Sequence, residues 1–307
     1  MTSLGAVFLP QLPPERLRAV VTAADAAGLE ELWLWEDCFL EGGLTTAAAA
    51  LAWSDSQATQ ASSAETQSAG GGSLRVGVGL LPVPLRNVAV AAMETATLFR
   101  MFPGRPVITV GHGVQDWMGQ VGARVESPLT LLREYTLALR ALLAGERVST
   151  EGRYVRLDGV ALDWPPPAPA PILVGAMGPK SIRLSGEVAD GTLLTAGTDV
   201  AGVRRARALI DEGRTAAGRT GAHELVVYLH CATGPDASAR LEAERTRWGY
   251  TAEADVMAGG DEHAVAARVH EWAEAGADRV ILQPTPDDPD PEGFVRFVSE
   301  RVRPLVP

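Results

Sequence analysis

Residues 32–39, LWLWEDCF, place two carboxylates and a thiol directly after a run of large apolar side chains. A buried strand reads as a short continuous apolar run, and charge appears where the chain leaves the core. Glu36, Asp37 and Cys38 therefore follow a predicted strand at its carboxyl end, where parallel α/β proteins bind ligands and carry out catalysis. Asp37 and Cys38 are candidate catalytic residues that can hold or pass a proton. Because neighbouring strand side chains point to opposite sides, a ligand-facing Asp37 implies that Glu36 turns outward.

The stretch GAMGPKS, residues 175–181, has the composition of an anion-binding turn. A predicted strand ends in glycine, and Pro179 suits the first turn of the next helix, so free backbone N–H groups converge there. Lys180 and the hydroxyl of Ser181 can add to an anion site at this helix start. The same residues also suit an ordinary turn, in which Gly178 changes the chain direction and Lys180 points into water. Spacing alone leaves both interpretations open.

Two further strand ends combine glycine with residues suited to a ligand. In Gly111-His112-Gly113 an imidazole stands between two glycines, so the backbone can approach a ligand closely and the ring can carry a proton. His112 is therefore the third catalytic candidate. Gly79 and Leu80 can form an apolar floor beneath a planar ring. Each stretch also has a plainer explanation, a structural histidine in one case and ordinary core filling in the other.

Eight strand-like runs alternate with amphipathic or alanine-rich helical stretches and would position these residues. The runs are LGAVFL (4–9), ELWLW (31–35), LRVGVGLL (74–81), PVITVG (106–111), ILVGA (172–176), GTLLT (191–195), ELVVYLHCA (224–232) and RVILQ (279–283). Eight strand–helix units are the number that closes a parallel sheet into a barrel. The sequence therefore predicts an α/β fold, a TIM (β/α)8 barrel with insertions.

Two segments interrupt this alternation. Residues 53–73, WSDSQATQASSAETQSAGGGS, are poor in large apolar groups and predict a flexible surface loop. Residues 146–171 predict a small hairpin around Glu151-Gly152, followed by the proline-rich return PPPAPAP. Neither segment has the character of a second domain, and the chain length suits one barrel with insertions, so we expect a single domain over residues 1–307.

Composition excludes several classes of function. The net charge of −11 disfavours nonspecific attraction to nucleic acid or to an anionic membrane, although it allows a local basic pocket. The longest apolar stretches are too short and too mixed to span a bilayer, and no export signal is evident, so the expected location is the cytoplasm. The two cysteines, Cys38 and Cys231, give neither a disulfide framework nor paired metal-ligand spacing, so no metal site is expected.

Taken together, these stretches resemble the bacterial luciferase-like superfamily of flavin- and deazaflavin-dependent oxidoreductases. Within it they are most similar to the F420-dependent branch that contains methylenetetrahydromethanopterin reductase. The motifs run in the family's order along nearly the whole chain: LWLWEDCF, VGVGLLPVPLRNVAVAAMETATL, VGHGVQDWMGQVG, PLTLLREYTLALRALLAGERVSTEGRYVRLDGVAL, GPKSIRLSGEVADG and AGADRVILQP. The resemblance implies a TIM barrel that binds a flavin or deazaflavin ring at the carboxyl ends of its strands.

The resemblance also implies roles for individual residues. Asp37 would lie near the polar edge of the ring, and Gly79-Leu80 would form a non-prolyl cis bulge behind it. The predicted cofactor-binding set is Asp37, Gly79, Leu80, Gly111, His112, Gly113, Ala176, Met177, Gly178, Pro179, Lys180 and Ser181, with residues 176–181 at the cofactor phosphate. Cys38 and Val114 stand where related sugar-phosphate dehydrogenases have a histidine and a glutamate. A catalytic role copied from those enzymes therefore fails at both positions.

Three functions follow as expectations. The first is hydride transfer between coenzyme F420 and an organic substrate, the second is an FMN-dependent monooxygenase that uses reduced FMN and oxygen, and the third is a non-catalytic flavin-binding protein. The partner is a small-molecule substrate in the first two. We also expect a homodimer that buries the weakly charged helix at 85–102, with its small-residue stripe Val88, Ala91, Ala92, Thr95 and Leu98, together with the alanine-rich helix at 44–52.

Overall fold

Short apolar runs rich in Val, Leu and Ile form the strands of this protein. The computed structural model describes residues 2–61 and 74–306, and of residues 55–61 only the backbone. Within that part the strands are β1 (Ser3–Val7), β2 (Glu31–Leu34), β3 (Arg75–Pro82), β4 (Pro106–Gly111), β5 (Val148–Glu151), β6 (Arg156–Val160), β7 (Ile172–Gly175), β8 (Gly191–Leu194), β9 (Glu224–Ala232), β10 (Met257–Gly259) and β11 (Arg279–Gln283). Each of the eight predicted runs overlaps one of these strands.

The strands pair into a closed parallel barrel. The order in the sheet is β10-β9-β11-β1-β2-β3-β4-β7-β8. β8 also pairs with β9, from Gly191 opposite Glu224 to Leu194 opposite Val227, which closes eight strands into a ring. The predicted TIM barrel is therefore confirmed. The short strand β10 lies outside the ring and pairs only with the last three residues of β9.

Helices follow the barrel strands and cover their outer surface. They are α1 (Leu17–Ala26), α2 (Gly43–Ala61), α3 (Val88–Met101), α4 (Gln115–Gln120), α5 (Pro128–Leu143), α6 (Pro179–Val188), α7 (Val200–Ala216), α8 (Ala237–Trp248), α9 (Glu262–Glu274) and α10 (Pro291–Arg296). A π-helical turn, Phe297–Val302, continues α10. None of the described helices combines the length and hydrophobicity needed to cross a membrane.

α8 is an additional helix between β9 and β10. The two strands that flank α8 pair with each other, and β10 lies against the carboxyl end of β9, with Met257 opposite His230. In addition, Arg240 of α8 binds Asp288 and Thr285, which follow the carboxyl end of β11. The helix therefore lies at the carboxyl end of the barrel, where the candidate residues are expected. We call this open end the mouth of the barrel, and α8 forms part of its side.

The barrel interior is filled by alternate residues of the strands, as the two-residue period of a strand requires. The buried apolar cluster inside it consists of Val7, Leu9, Trp33, Val107, Leu173, Leu193, Ala196, Val226, Tyr228 and Ile281. A second and larger cluster lies between the strands and the helices. Trp33 occupies the centre of the interior, since a Cβ atom on Gly77 of the neighbouring strand would lie 2.3 Å from its ring.

An ion cluster closes the amino end of the barrel. Glu31 is 1% exposed and accepts hydrogen bonds from Arg75 Nη1, at 3.0 Å, and from Trp33 Nε1, at 2.9 Å. Arg279 lies 3.3 Å from the same carboxylate and also binds Glu224. A buried carboxylate requires this number of partners. The cluster therefore fills the amino end of the barrel interior with paired charges.

The structure describes one of the two predicted insertions in full and the other in part. β5 and β6 pair antiparallel and form a hairpin between α5 and β7. The loop predicted for residues 53–73 is wrong over residues 53–61, because α2 continues through Ala61. Residues 53–61 contain neither glycine nor proline, and Ser54 donates to the carbonyl of Ala50 one turn earlier, so nothing ends the helix at Trp53. Residues 62–73 lie outside the described part of the chain.

α3 has a small-residue face and a second, weakly polar face, as its sequence suggested, but only the second face is exposed. The small-residue stripe from Val88 to Leu98 is buried, and Ala92 is 0% exposed. This stripe packs inside the protein, so it is not the surface available to a partner. The free face of α3 instead carries Val90, Met93 and Met101, which are 47%, 60% and 63% exposed.

Candidate active site

The carboxyl ends of β3, β4 and β7 seat the side chain of Leu80. The register of β3 against β4 shifts between Val78 and Leu81, so Gly79 and Leu80 bulge, and the peptide bond between them is cis. A Cβ atom on Gly111 would lie 2.6 Å from Leu80 Cδ2, and one on Gly175 would lie 2.4 Å from it. A Cβ atom at either strand end would displace the Leu80 side chain, so the two glycines let Leu80 lie across these strands as an aliphatic floor.

Tyr228 supports the bulge from inside the barrel. Its hydroxyl donates to the carbonyl of Gly79 at 3.2 Å, and its ring packs edge-on against Trp33, with ring centroids 5.8 Å apart. The ring centroid of Trp35 lies 5.6 Å from that of Tyr228. Burial raises the pKa of Tyr228 far above its ordinary value, so the hydroxyl remains a neutral donor. A Cβ atom on Gly79 would lie 2.1 Å from that hydroxyl, which explains the glycine there.

Asp37 and Glu36 lie in different environments. Asp37 is half-buried at the mouth, where burial raises the pKa of its carboxyl, and it is close enough to Tyr228 for its charge to raise the pKa of that phenol. Glu36 turns away and binds Arg86 through both oxygens, with 2.8 Å from Nη2 to Oε2. It also accepts the backbone N–H of Gly43 at 2.9 Å, at the start of α2. Glu36 therefore has structural partners, whereas Asp37 has no side-chain hydrogen bond within the described residues.

Cys38 and His112 also lie at the mouth. Cys38 follows Asp37 and is joined to Phe39 by a second cis peptide bond. Burial, followed by the charges of Glu36 and Asp37, raises the pKa of its thiol, so the sulfur is protonated at neutral pH. Burial lowers the pKa of His112, partly offset by a hydrogen bond with the Pro128 backbone. The Nδ1 atom of His112 is buried and has no partner in the part of the chain that the structure describes.

Residues 176–181 form a turn that leads from β7 into α6. Ala176 is buried, and residues 177–180 are exposed, Met177 by 76%. No side chain caps the first turn of α6, so its backbone N–H groups remain available there. Lys180 is the only lysine of the chain and makes no hydrogen bond or ion pair with the described residues. The hydroxyl of Ser181, in contrast, donates to the carbonyl of Gly178 at 2.9 Å, so its proton is not available to an anion.

The structure adds residues that sequence reasoning did not select. Tyr228 and His230 both face the interior from β9, and Tyr250 lies beside His230, with 3.4 Å between Oη and Nε2. The alternation within ELVVYLHCA carries the signal for the first two, since Val226, Tyr228 and His230 share one side of the strand. No pattern in the sequence indicated Tyr250, because it follows the additional helix α8 and reaches the site only through the fold.

Comparison with known proteins places this geometry in a family. The sequence profile described as luciferase-like monooxygenase matches residues 3–289. A 5,10-methylenetetrahydromethanopterin reductase from Methanolobus tindarius is 27% identical over 194 residues, which cover 63% of this chain and 54% of that protein. An F420-dependent glucose-6-phosphate dehydrogenase from Microbacterium testaceum is 31% identical over 238 residues, which cover 74% of this chain and 69% of that protein. The first of these matches thus spans about half of the relative's length.

Solved structures share the fold over the full length of the chain. A coenzyme F420-dependent tetrahydromethanopterin reductase from Methanopyrus kandleri superposes with a TM-score of 0.78, at 21% identity over 100% of this chain and 99% of that one. The oxygenating constituent of 3,6-diketocamphane monooxygenase from Pseudomonas putida, in complex with FMN, superposes with a TM-score of 0.72, at 17% identity and the same coverage. One fold thus serves proteins described with either cofactor.

Proposed function

Since the chain belongs to the luciferase-like monooxygenase family, we propose that it is an oxidoreductase that transfers a hydride between the deazaflavin coenzyme F420 and a small organic substrate. Both sequence relatives support this cofactor. The dehydrogenase is described as F420-dependent, and the reductase shares its type of activity with a solved reductase that is described as F420-dependent. The alternative of a non-catalytic flavin-binding protein is less well supported, since the two sequence relatives are described as a reductase and a dehydrogenase.

The observation that carries the proposal is the pairing of an aliphatic floor with a carboxyl group at one barrel mouth. Leu80 is held against Gly111 and Gly175, which leaves a surface without competing hydrogen-bond donors, as the face of a planar ring requires. Asp37 follows β2, the strand that pairs with β3, and its carboxyl is unbonded among the described residues, so it would hold the polar edge of the ring. These residues fit a flavin-sized planar cofactor.

A phosphate group would be held at the start of α6. The uncapped N–H groups after Gly178 and the free ammonium of Lys180 converge on one exposed turn. A helix N-terminus of this kind favours an anion by its backbone donors and its partial positive charge. The Ser181 hydroxyl bonds to Gly178, so we assign the anion to the backbone and to Lys180 and omit the hydroxyl.

When bound, the deazaflavin supplies the chemistry of two-electron hydride transfer, and the protein supplies binding, orientation and exclusion of water. Tyr228 fixes the Gly79 carbonyl, which sets the position of the floor. Trp33 and Tyr228 fill the barrel below the floor, so water cannot approach from that side. The raised pKa of Asp37 lets its carboxyl hold a proton at a higher pH than a surface aspartate can. His112, whose pKa is lowered, is neutral at pH 7 and can accept a proton at Nδ1.

Titration of the purified protein with oxidised F420 and, separately, with FMN tests the proposal. We expect a change in the absorbance or fluorescence of F420 that saturates at micromolar concentration, and binding of FMN at least about ten-fold weaker. Tighter binding of FMN, together with oxygen consumption when reduced FMN is supplied, would contradict the assignment.

That result would favour the second candidate, a monooxygenase that uses reduced FMN and oxygen. The FMN complex among the solved structures of the same fold gives this candidate its support. Both cofactors present an apolar ring face and a phosphate, so the floor at Leu80 and the turn at Lys180 suit either one. The direct comparison of the two cofactors in the same titration therefore decides between the candidates.

A further inference from the structure

The wall of the mouth formed by His230, Trp248 and Tyr250 has no role in the cofactor assignment. His230 is 1% exposed and follows Tyr228 on the inward side of β9. The ring of Trp248 lies 6.0 Å from His230, and that of Tyr250 lies 5.8 Å away. A Cβ atom on Gly197, in the loop after β8, would lie 2.7 Å from the Tyr250 hydroxyl, so the Tyr250 side chain packs against that loop. We call these three side chains the aromatic wall.

The aromatic wall carries no charge. Burial, followed by the charge of Arg247, lowers the pKa of His230 to about 4, so the imidazole is neutral at physiological pH. Burial and then Glu244 raise the pKa of Tyr250, so its hydroxyl stays protonated. Trp248 is 48% exposed, yet its indole N–H donates to Glu244 at 2.9 Å, which leaves an apolar ring facing outward. The Tyr250 hydroxyl is the polar atom of the wall that a ligand can use, since it bonds to Nε2 of His230 and has capacity for a further hydrogen bond, whereas the unpartnered Nδ1 of His230 is buried.

The cations of α8 are not available to a ligand on this wall. Arg240 binds Asp288 at 2.7 Å and Thr285 at 3.0 Å. Arg245 donates to the carbonyls of Thr251 and Ala254 at 2.7 and 2.9 Å. Arg247 pairs with Glu244, at 3.4 Å.

The pairing of Arg247 is structurally required. Glu244 is 5% exposed and also accepts the Trp248 indole N–H, so this buried carboxylate needs a nearby positive charge. An anionic ligand would have to take Arg247 away from it. Another cation at this end of the barrel, Lys180, lies on the turn after β7, where the proposed function places the cofactor phosphate.

We propose that the aromatic wall binds the substrate, and that the substrate is an uncharged organic molecule with an apolar body and one hydrogen-bonding oxygen. The body packs on the ring of Trp248, and the oxygen bonds to the Tyr250 hydroxyl, which His230 holds from behind. This inference rests on the proposed function, since it takes the opposite part of the mouth to be the cofactor side. It excludes phosphorylated substrates, which would need a free cation at the wall.

A matched pair of probes tests the inference: 4-phenylbutan-2-ol and its phosphate ester, which share one apolar body. Binding is measured by ligand-observed NMR on the protein loaded with reduced cofactor under nitrogen, so that the alcohol is not consumed. We expect the alcohol to bind at least about ten-fold more tightly than its phosphate ester. Trp248→Ala and Tyr250→Phe should each weaken alcohol binding at least about three-fold, with cofactor affinity unchanged. Trp164→Ala is the matched control, because Trp164 is also exposed but stacks on Arg100 of α3, away from the mouth.

Three outcomes would overturn the inference: equal or tighter binding of the phosphate ester, binding of the ester that disappears in Arg247→Gln, or no binding of either probe to the cofactor-loaded protein. Alcohol binding that is insensitive to both wall variants would also overturn it. A prior titration with F420 and FMN separates this from failure of the proposed function. If neither cofactor binds, the proposed function fails; if one binds and the probes contradict expectation, only the aromatic wall assignment fails.

Discussion

The hydroxyl of Tyr228 donates a hydrogen bond to the carbonyl oxygen of Gly79 at 3.2 Å, from the opposite side of the barrel. Tyr228→Phe removes this donor and leaves a buried carbonyl without its partner. We expect a loss of about 1 kcal/mol in the free energy of unfolding and cofactor binding weakened about ten-fold, because the floor at Leu80 loses its support. The measurements are urea denaturation and cofactor titration.

Tyr135→Phe is the matched control for Tyr228→Phe. Tyr135 is 3% exposed on α5, outside the barrel, so its loss removes the same hydroxyl group at a distance from the floor. Its cofactor affinity should stay at the wild-type value. Equal loss of cofactor affinity in the two variants would show that the Gly79 contact has no particular role.

Asp37→Asn should weaken cofactor binding or hydride transfer while thermal stability stays within about 2 °C of wild type. Burial raises the pKa of this carboxyl, which means that its ionised form costs free energy of folding at neutral pH. Replacing it with a neutral amide should therefore not destabilise the fold. Asp211→Asn on the exposed surface of α7 serves as control. Marked unfolding of Asp37→Asn with intact cofactor binding would identify Asp37 as a structural residue.

Lys180→Glu should reduce the affinity for FMN at least about ten-fold and leave the affinity for riboflavin, which lacks the phosphate, nearly unchanged. The reason is that the variant places a negative charge at the turn assigned to the phosphate. Arg183→Glu is the control one turn later on α6, where the wild-type side chain already binds Glu212. Equal losses for FMN and riboflavin in Lys180→Glu would remove the phosphate assignment.

We propose that the exposed side of α3 forms the interface of a homodimer. Val90→Glu and Met93→Glu together should yield a folded monomer, because they introduce charge at side chains that are 47% and 60% exposed. Ala92 is unsuitable for this test, since it is fully buried and a glutamate there would disrupt packing. Light scattering of the wild type and the double variant measures the mass. A wild-type protein that is monomeric at high micromolar concentration would refute the proposal.

Stability should fall as the pH drops below about 6.5, and His223 should account for part of the loss. Its imidazole is 8% exposed and binds the Thr192 hydroxyl at 2.8 Å. Burial, followed by the charges of neighbouring arginines, lowers its pKa from 6.5 to about 4. Between these two values the unfolded chain binds more protons, so the stability present above pH 6.5 is lost as the pH falls toward 4.

His223→Gln isolates this contribution. From pH 7 to pH 5 the wild type should lose about 2 kcal/mol more unfolding free energy than the variant, from the shift of a single group. Urea denaturation at both pH values gives the comparison. If the two proteins lose stability in parallel, His223 is not buried in its neutral form.

The period of the sequence was sufficient to predict the barrel, and strand ends were sufficient to place several candidate residues at its carboxyl end. Asp37, Gly79 and Leu80 were accessible to sequence reasoning because each belongs to a strand or follows one directly. Tyr250 was not accessible, because it reaches His230 from a segment that no strand period describes. The length of α2 was misjudged for a related reason: residues 53–61 are polar, yet polarity does not end a helix in the absence of glycine or proline.

The additional helix α8 means that the two halves of the mouth come from different parts of the chain. The floor and the anion turn depend on β2, β3, β4 and β7, whereas Trp248 and Tyr250 belong to a segment inserted between β9 and β10. Replacement of that segment during evolution can therefore change which substrates bind, while the floor and the anion turn stay unchanged. A chimera that receives residues 237–250 from another member of the family would keep its cofactor and acquire a different substrate specificity.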